Sequence, residues 1–293
     1  PEHSLGARYI YTRIPMIPDI DISADVYIDE LYYESFRSAW EWESTSNSHL
    51  LNAYYNGQIT PWLNSKFDFD YSKGNTDHHQ IVDVTYQDKN EIVETDSKQD
   101  YDLYAGKLTF TTPLSGSNLV YGTEYSHTNN EQRFLVEKNE SSGELVSNVN
   151  VAKQKLFAAF LSYSKTLGKF SVSAGLRFEN VSFNYSANGV TVKEQSKTYK
   201  DFFPNAMINY QNNGFQTMLS YRATTNRPSY SSLSNRLQYD GPYLYETGNP
   251  FLKPVQVHDI SFSALWKDIR FMASYKIYKD KIIYNHCCMK VLE

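Results

Sequence analysis

The chain has 293 residues, including 25 tyrosines and 16 phenylalanines, with ordinary glycine and proline counts of 13 and 10 and a net charge of −5. These values exclude collagen-like, low-complexity and disordered chains, and the missing cationic field excludes nucleic acid as a partner. A hydrophobic fraction of 41% with a mean hydropathy of −0.56 means that large rings and abundant polar side chains coexist, as they do on the two faces of one large β structure. Cys287 and Cys288 are neighbours, and Cα atoms about 3.8 Å apart fall below the usual disulfide span. No stretch approaches the roughly 18 uncharged apolar residues of a spanning helix, and no signal peptide opens the chain. If this chain meets a membrane, it does so as strands.

About twelve strands in six hairpins are expected, near residues 7–13, 21–33, 47–59, 65–73, 99–111, 117–128, 154–165, 169–186, 200–211, 214–226, 256–266 and 269–280. The first two are separated by Ile14-Pro15-Met16-Ile17-Pro18, a proline-broken turn. Residues 34–43, with Trp40 and Trp42, are strand extension or loop. From there the dominant period is two. Phe67, Phe69 and Tyr71 alternate with Asp68 and Asp70; Leu119, Tyr121, Thr123 and Tyr125 share a face; so do Ile260, Phe262, Ala264 and Trp266, and Ile269, Phe271, Ala273, Tyr275 and Ile277. Between 170 and 185 the apolar phase slips from Phe178 to Val181, which predicts a bulge at Glu179-Asn180.

Connections alternate too. Tight turns fall at 61–64, 112–117, 166–169, 212–214 and 267–268, and long polar connections at 72–99, 128–153, 186–199 and 224–255. Short turns at one rim and long loops at the other are the wiring of an outer-membrane barrel. Several strands match the 9–11 residues needed to cross a bilayer with tilt. Tyr71, Tyr125, Tyr185, Tyr221 and Tyr275 lie at strand ends, where an aromatic girdle sits. A soluble β protein with one core face shows the same alternation; strand length and loop asymmetry favour the membrane. Outer-membrane lipid is therefore an expected partner.

Past residue 150 a family resemblance appears. Residues Lys155 to Phe160, Gly175-Leu176-Arg177-Phe178-Glu179, Phe202-Phe203-Pro204-Asn205, and Ser220-Tyr221-Arg222 leading to Asn226-Arg227-Pro228-Ser229-Tyr230 are part of it. So is Gly248-Asn249-Pro250-Phe251-Leu252-Lys253-Pro254. Together they resemble the barrel of TonB-dependent outer-membrane receptors, in the branch called the outer membrane β-barrel family. The family motif falls on Arg227, Pro228, Gly248, Asn249, Pro250, Leu252, Lys253 and Pro254; Val255 departs from it, where the family commonly carries Glu. Physically the motif turns the backbone and launches a strand: Gly248 tolerates positive φ, and Asn249 and Lys253 each precede a proline that makes them extended.

The resemblance implies an all-β fold, an antiparallel up-and-down transmembrane β-barrel. About twelve strands are present, as part of a 22-stranded barrel that a plug closes. It implies import of a scarce nutrient (iron chelate, cobalamin or glycan) caught at the extracellular loops. TonB would act through a plug domain absent from this chain. Residues 1–285 are expected to form a partial barrel domain, and 286–293 a non-native-looking or truncated tail. The alternative is a self-contained small barrel acting as a passive pore, adhesin or surface hydrolase.

No Gly-x-Ser-x-Gly elbow, phosphate loop or His-Glu-x-x-His helix occurs, so no catalytic residue and no cofactor are expected. Asp77-His78-His79 is the most metal-like cluster, but adjacent histidines on a strand point to opposite sides, so no metal site is expected. His127 and His258 are expected at the rim. Asp68 with Asp70, and Asp19 with Asp21, each share a strand face, taken as the lumen side.

Overall fold

The computed structural model describes residues 3–141, 145–229, 232–233, 237–249 and 251–283. In chain order the strands are β1 (His3–Met16), β2 (Asp19–Ile28), β3 (Leu31–Thr60), β4 (Leu63–Thr85), β5 (Asn90–Leu114), β6 (Ser117–Asn139), β7 (Asn148–Leu167), β8 (Phe170–Ala187), β9 (Val190–Thr191), β10 (Lys197–Asn212), β11 (Phe215–Asn226), β12 (Leu237–Gly241), β13 (Leu244–Thr247), β14 (Val255–Trp266) and β15 (Ile269–Lys279). All pairings are antiparallel. One sheet runs β1-β3-β4-β5-β6-β7-β8-β10-β11-β14-β15, with β2 beside β3 and β9 beside β8, while β12 and β13 form a separate hairpin.

The first expected hairpin is absent. Met16 lies opposite Ser44 and Asp19 opposite Glu41, a single unbroken register, so β1 and β2 are one rail along β3, interrupted at Ile17-Pro18. Proline is tolerated there because this rail is the edge of the sheet, where a missing N–H breaks no ladder bond. The chain reverses at Asp29-Glu30 instead, whose φ values of 49° and 67° are those of a tight hairpin turn. Among the described residues the main sheet therefore has eleven rails, not twelve.

Two of the long polar connections are strand over most of their length. β4 continues to Thr85 and β5 starts at Asn90, closed by a turn in which the Tyr86 N–H donates to the Lys89 carbonyl at 2.8 Å. β6 likewise runs to Asn139 and β7 starts at Asn148. Beyond the lipid the outer face of a strand meets water, so the hydrophobic period weakens while the pairing goes on, and Val82, Val84 and Val93 keep it on the inner face, where they are buried. Residues 34–43 are strand for the same reason, inside a 30-residue β3 about 100 Å long. All five tight turns form where expected, and loops without main-sheet strands remain within 186–199 and 224–255.

No bulge exists at Glu179-Asn180. Glu179 pairs with Ala158 and Asp201, and Asn180 with Phe157 and Lys200, without any shift of register. The apolar residues change face instead. Phe170, Val172, Ala174, Leu176 and Phe178 point outward into the lipid band; above it Val181 and Tyr185, 3% and 2% exposed, point inward into packed structure. Tyr185 is thus a buried inner residue and not part of the girdle.

Register carries the outward face from strand to strand. Leu161 lies beside Leu176 and Leu176 beside Pro204; Ile208 lies beside Leu219, Leu219 beside Phe262 and Phe262 beside Ala273. Leu161 is 52% and Phe271 57% exposed, which a surface in water does not sustain over such an area. Aromatic rings bound this band on both sides. Tyr71 and Tyr104 (centroids 4.9 Å apart) and Phe178 and Phe202 (5.1 Å) close one side; Phe110 and Tyr121 (5.5 Å) and Phe170 and Tyr210 (4.8 Å) close the short-turn side. Among the described residues the sheet is open, with β1–β2 and β15 as unpaired edges.

This face assignment is testable. Leu161→Arg, at the middle of the outer band, should cost about 2–4 kcal/mol in denaturant unfolding from vesicles. Ser162→Arg, one residue on and facing inward, should change stability by about 0.5 kcal/mol or less.

Candidate functional site: the inner wall and the inward-folded loop

The inner face carries charge, arranged in neutralising pairs. On β4 the Lys66 ammonium lies 3.0 Å from Asp68, and Asn52 Nδ2 donates to Asp70 at 2.8 Å. Register places Asp68 opposite Lys107 and Lys107 opposite Glu124. The Lys107 ammonium sits 5.3 Å above the Phe160 ring, a ring that lies flat over the neighbouring strand because Gly122 has no Cβ; one added there would be 2.7 Å from Phe160 Cζ and 2.1 Å from the Leu108 carbonyl oxygen. Further round, Arg177 donates to Glu179 at 2.7 Å and reaches across β7 to Glu124 at 3.1 Å. Fully buried Ala158 lies between those two carboxylates, and its small side chain leaves the room for that reach. Glu179 also accepts from Arg227. Past it, Gln256 Nε2 donates to Asp201 at 3.0 Å and Ser261 to Asp259 at 2.7 Å.

Arg227 ties this chain of charges to the rim. With Pro228, Leu252 and Pro254 it lines a cavity of about 210 Å³ against Phe183 and Tyr199 of the inner face. Asn249 shapes the return: its N–H donates to the Ser232 carbonyl at 2.7 Å, and its side-chain oxygen accepts from the Phe251 N–H at 2.9 Å. Of the expected motif residues, Arg227, Pro228, Leu252 and Pro254 come together, and Lys253 is exposed. Pro250 lies outside the described residues, as do Cys287, Cys288 and the tail 286–293.

Between Arg227 and Pro254 the chain folds inward. Tyr239 of β12 is 2% exposed and packs on Val82, Val84 and Val93 of the inner face. Its carbonyl accepts from Gln80 Nε2 at 3.3 Å, and its ring meets Tyr245 of β13 edge-on at 5.4 Å. The Tyr243 hydroxyl donates to Glu34, and its ring lies 6.1 Å from Phe36. Burial pushes the phenols of Tyr239 and Tyr86 well above their ordinary range, so both stay neutral. The β12–β13 hairpin is therefore anchored across the inner face, away from the strands that launch it.

The model of the outer membrane protein β-barrel family matches residues 62–286. This chain belongs to that family. Membership places the chain in the outer membrane. Among solved structures, the siderophore receptor PiuA from Acinetobacter baumannii is 10% identical with a TM-score of 0.51, over 92% of this chain and 50% of that one. The alcaligin outer-membrane receptor FauA from Bordetella pertussis is 13% identical, with a TM-score of 0.43 over 93% and 50%. The copper transporter OprC is 10% identical, with a TM-score of 0.48 over 94% and 53%. The likeness to PiuA is one of fold, and this chain spans about half the length of these proteins. No curated protein sequence matches it.

Within this family member the other sequence candidates separate. Asp68 and Asp70 do face inward. Asp19 and Asp21 do not: they share the outer face with Glu41 and Ala39, on the part of the rail beyond the lipid, where a hydrogen bond from Arg37 holds the Asp21 carboxyl below its ordinary range. A lumen assignment fails because β1 and β2 keep one register and hence one parity. His78 and His79 point to opposite faces: His78 meets Trp42 edge-on, and His79 Nδ1 lies 2.7 Å from Asp96 Oδ1. His258 shares a 2.8 Å hydrogen bond with the Tyr221 hydroxyl, at the belt. The Arg177 network was missed because cross-strand partners are 48 to 53 residues apart in sequence; the available signal was Arg177 and Glu179 alternating with Phe178.

Two measurements check the geometry. Removing the ring in Tyr239→Ala should cost the hairpin about 3 kcal/mol, raising hydrogen exchange at 239–247 about a hundredfold while β14 is unchanged. A double-mutant cycle with Arg177→Ala and Glu124→Gln should give a coupling of about 1 kcal/mol.

Proposed function

We propose that this chain is the central stretch of the barrel wall of a TonB-dependent receptor that imports a scarce nutrient of the iron-chelate, cobalamin or glycan class, and that it is not an enzyme. The observation that carries this reading is the inner wall: charges set in neutralising pairs beneath a loop hairpin packed inward. Such a wall suits a lumen that is filled and covered, and a passive water-filled pore has no need of the second feature.

Eleven rails with two unpaired edges fit a wall continued by further strands, since barrels with a plugged lumen have about 22. The same edges weigh against a self-contained small barrel, because an open edge in lipid leaves backbone groups unsatisfied. In this reading residues 1–285 form one barrel segment, TonB acts through a plug carried elsewhere in the protein, and the solute is caught at the rim beside the hairpin.

The test is growth. A deletion strain should fail on one limiting nutrient class, recover with the intact gene, and not recover in cells lacking TonB. Recovery without TonB would show a passive pore and end this reading.

A further inference from the structure

The cavity of about 210 Å³ that Arg227 shares with the inner face is apolar over most of its wall and polar along one side. Register sets its floor: Phe183 on β8 lies between Gln154 on β7 and Lys197 on β10. Pro228, Leu252 and Pro254 of the returning loop cover it.

Gln195 and Lys197, two residues apart on the polar side, supply an unmatched acceptor and an unmatched cation. Among the described residues Lys197 is in no ion pair, unlike Lys89 and Lys276. Gln195 is 6% exposed, and its Oε1 has no hydrogen-bond partner, which is uncommon for a buried polar atom. The turn that carries it is braced: the Ser196 N–H donates to the Val192 carbonyl at 3.0 Å, and the Tyr185 N–H donates to Ser196 Oγ at 3.1 Å. Gln195 is thus held in the cavity wall while its own oxygen stays unsatisfied.

These groups define an occupant. Arg227 donates to Glu179, but a guanidinium has five N–H groups, so it can share one carboxylate with Lys197. The covering prolines have no N–H, which leaves the anion to these side chains. Gln195 Oε1 requires a donor. A single acceptor suits a peptide N–H, which has one hydrogen to give, better than an ammonium, which has three. A cavity of about 150 Å³ takes a benzene ring, so 210 Å³ holds one ring-sized side chain with its carboxylate and is too small for an oligosaccharide or a whole metal chelate. We propose that this cavity captures the carboxyl-terminal apolar residue of a short peptide. The carboxylate lies on Lys197 and Arg227, the N–H on Gln195, and the side chain between Phe183 and the two prolines. The site adds a ligand to the transport reading and does not rest on it.

The test uses the protein at its full encoded length in detergent, with isothermal titration calorimetry of three probes: N-acetyl-Gly-Gly-Phe, the same peptide ending in a carboxamide, and free phenylalanine. The acid should bind about tenfold or more tighter than either of the others. Lys197→Gln should weaken the acid about tenfold and leave the carboxamide unchanged. Gln195→Met, which keeps the length of the side chain and removes the acceptor, should weaken the acid about fivefold or more, while Lys169→Gln at the short-turn rim keeps full affinity. Heat-shifted mobility on gels confirms that each variant is folded. No binding of the acid, equal affinity for acid and carboxamide, free phenylalanine binding as tightly as the peptide, or unchanged affinity in Lys197→Gln or Gln195→Met would each overturn the proposal. Growth on the limiting nutrient is read separately, so failure here leaves the transport role standing.

Discussion

Lipid offers no hydrogen-bond partner, so each backbone N–H and C=O that crosses it must be paired within the protein. In this chain that requirement is met by antiparallel ladders that keep one register across the band, and nearly everything else follows from the register. Once strands are locked side by side, the parity of a residue number decides whether its side chain meets lipid or lumen. A one-residue slip in β7 would turn Leu161 inward and Ser162 into hydrocarbon. Paired outward rows such as Ile208, Leu219, Phe262 and Ala273 are therefore what pins the sheet, and the bulge that the sequence suggested at Glu179 would have broken them.

The same parity builds the interior. Arg177, Glu179 and Glu124 face one another because their strands are in step, and Ala158 and Gly122 are small where a neighbour's side chain must cross. Charges on this wall are desolvated on the strand side, so pairing them holds down the cost of burying each one. Arg227 extends the pairing out of the sheet and into the returning loop, which links the wall to the rim cavity through one carboxylate, Glu179.

How much of this was legible in the sequence depended on where a strand stands relative to the lipid. Inside the band the period of two is strong, and residues such as Leu119, Tyr121 and Tyr125 gave strand and face together. Beyond the band the outer face is wet, so 72–85 and 90–99 looked like loop although they pair throughout. Tyr185 has the composition of a girdle residue and sits instead in an inward cluster, because the apolar face had already switched at Val181. Asp21 illustrates a related failure: its alternation with Ile20 and Ile22 was visible, but its face was set by the register carried over from β1. The anchoring of Tyr239 on Val82, 157 positions away, leaves no local trace at all.

An odd number of rails has a topographical result. β1 rises from the rim of short turns, and β15, the eleventh rail, finishes at the opposite rim. A label joined ahead of His3 would therefore lie on the periplasmic side and one joined after Lys279 at the cell surface. A single pair of epitope tags would then report both compartments at once.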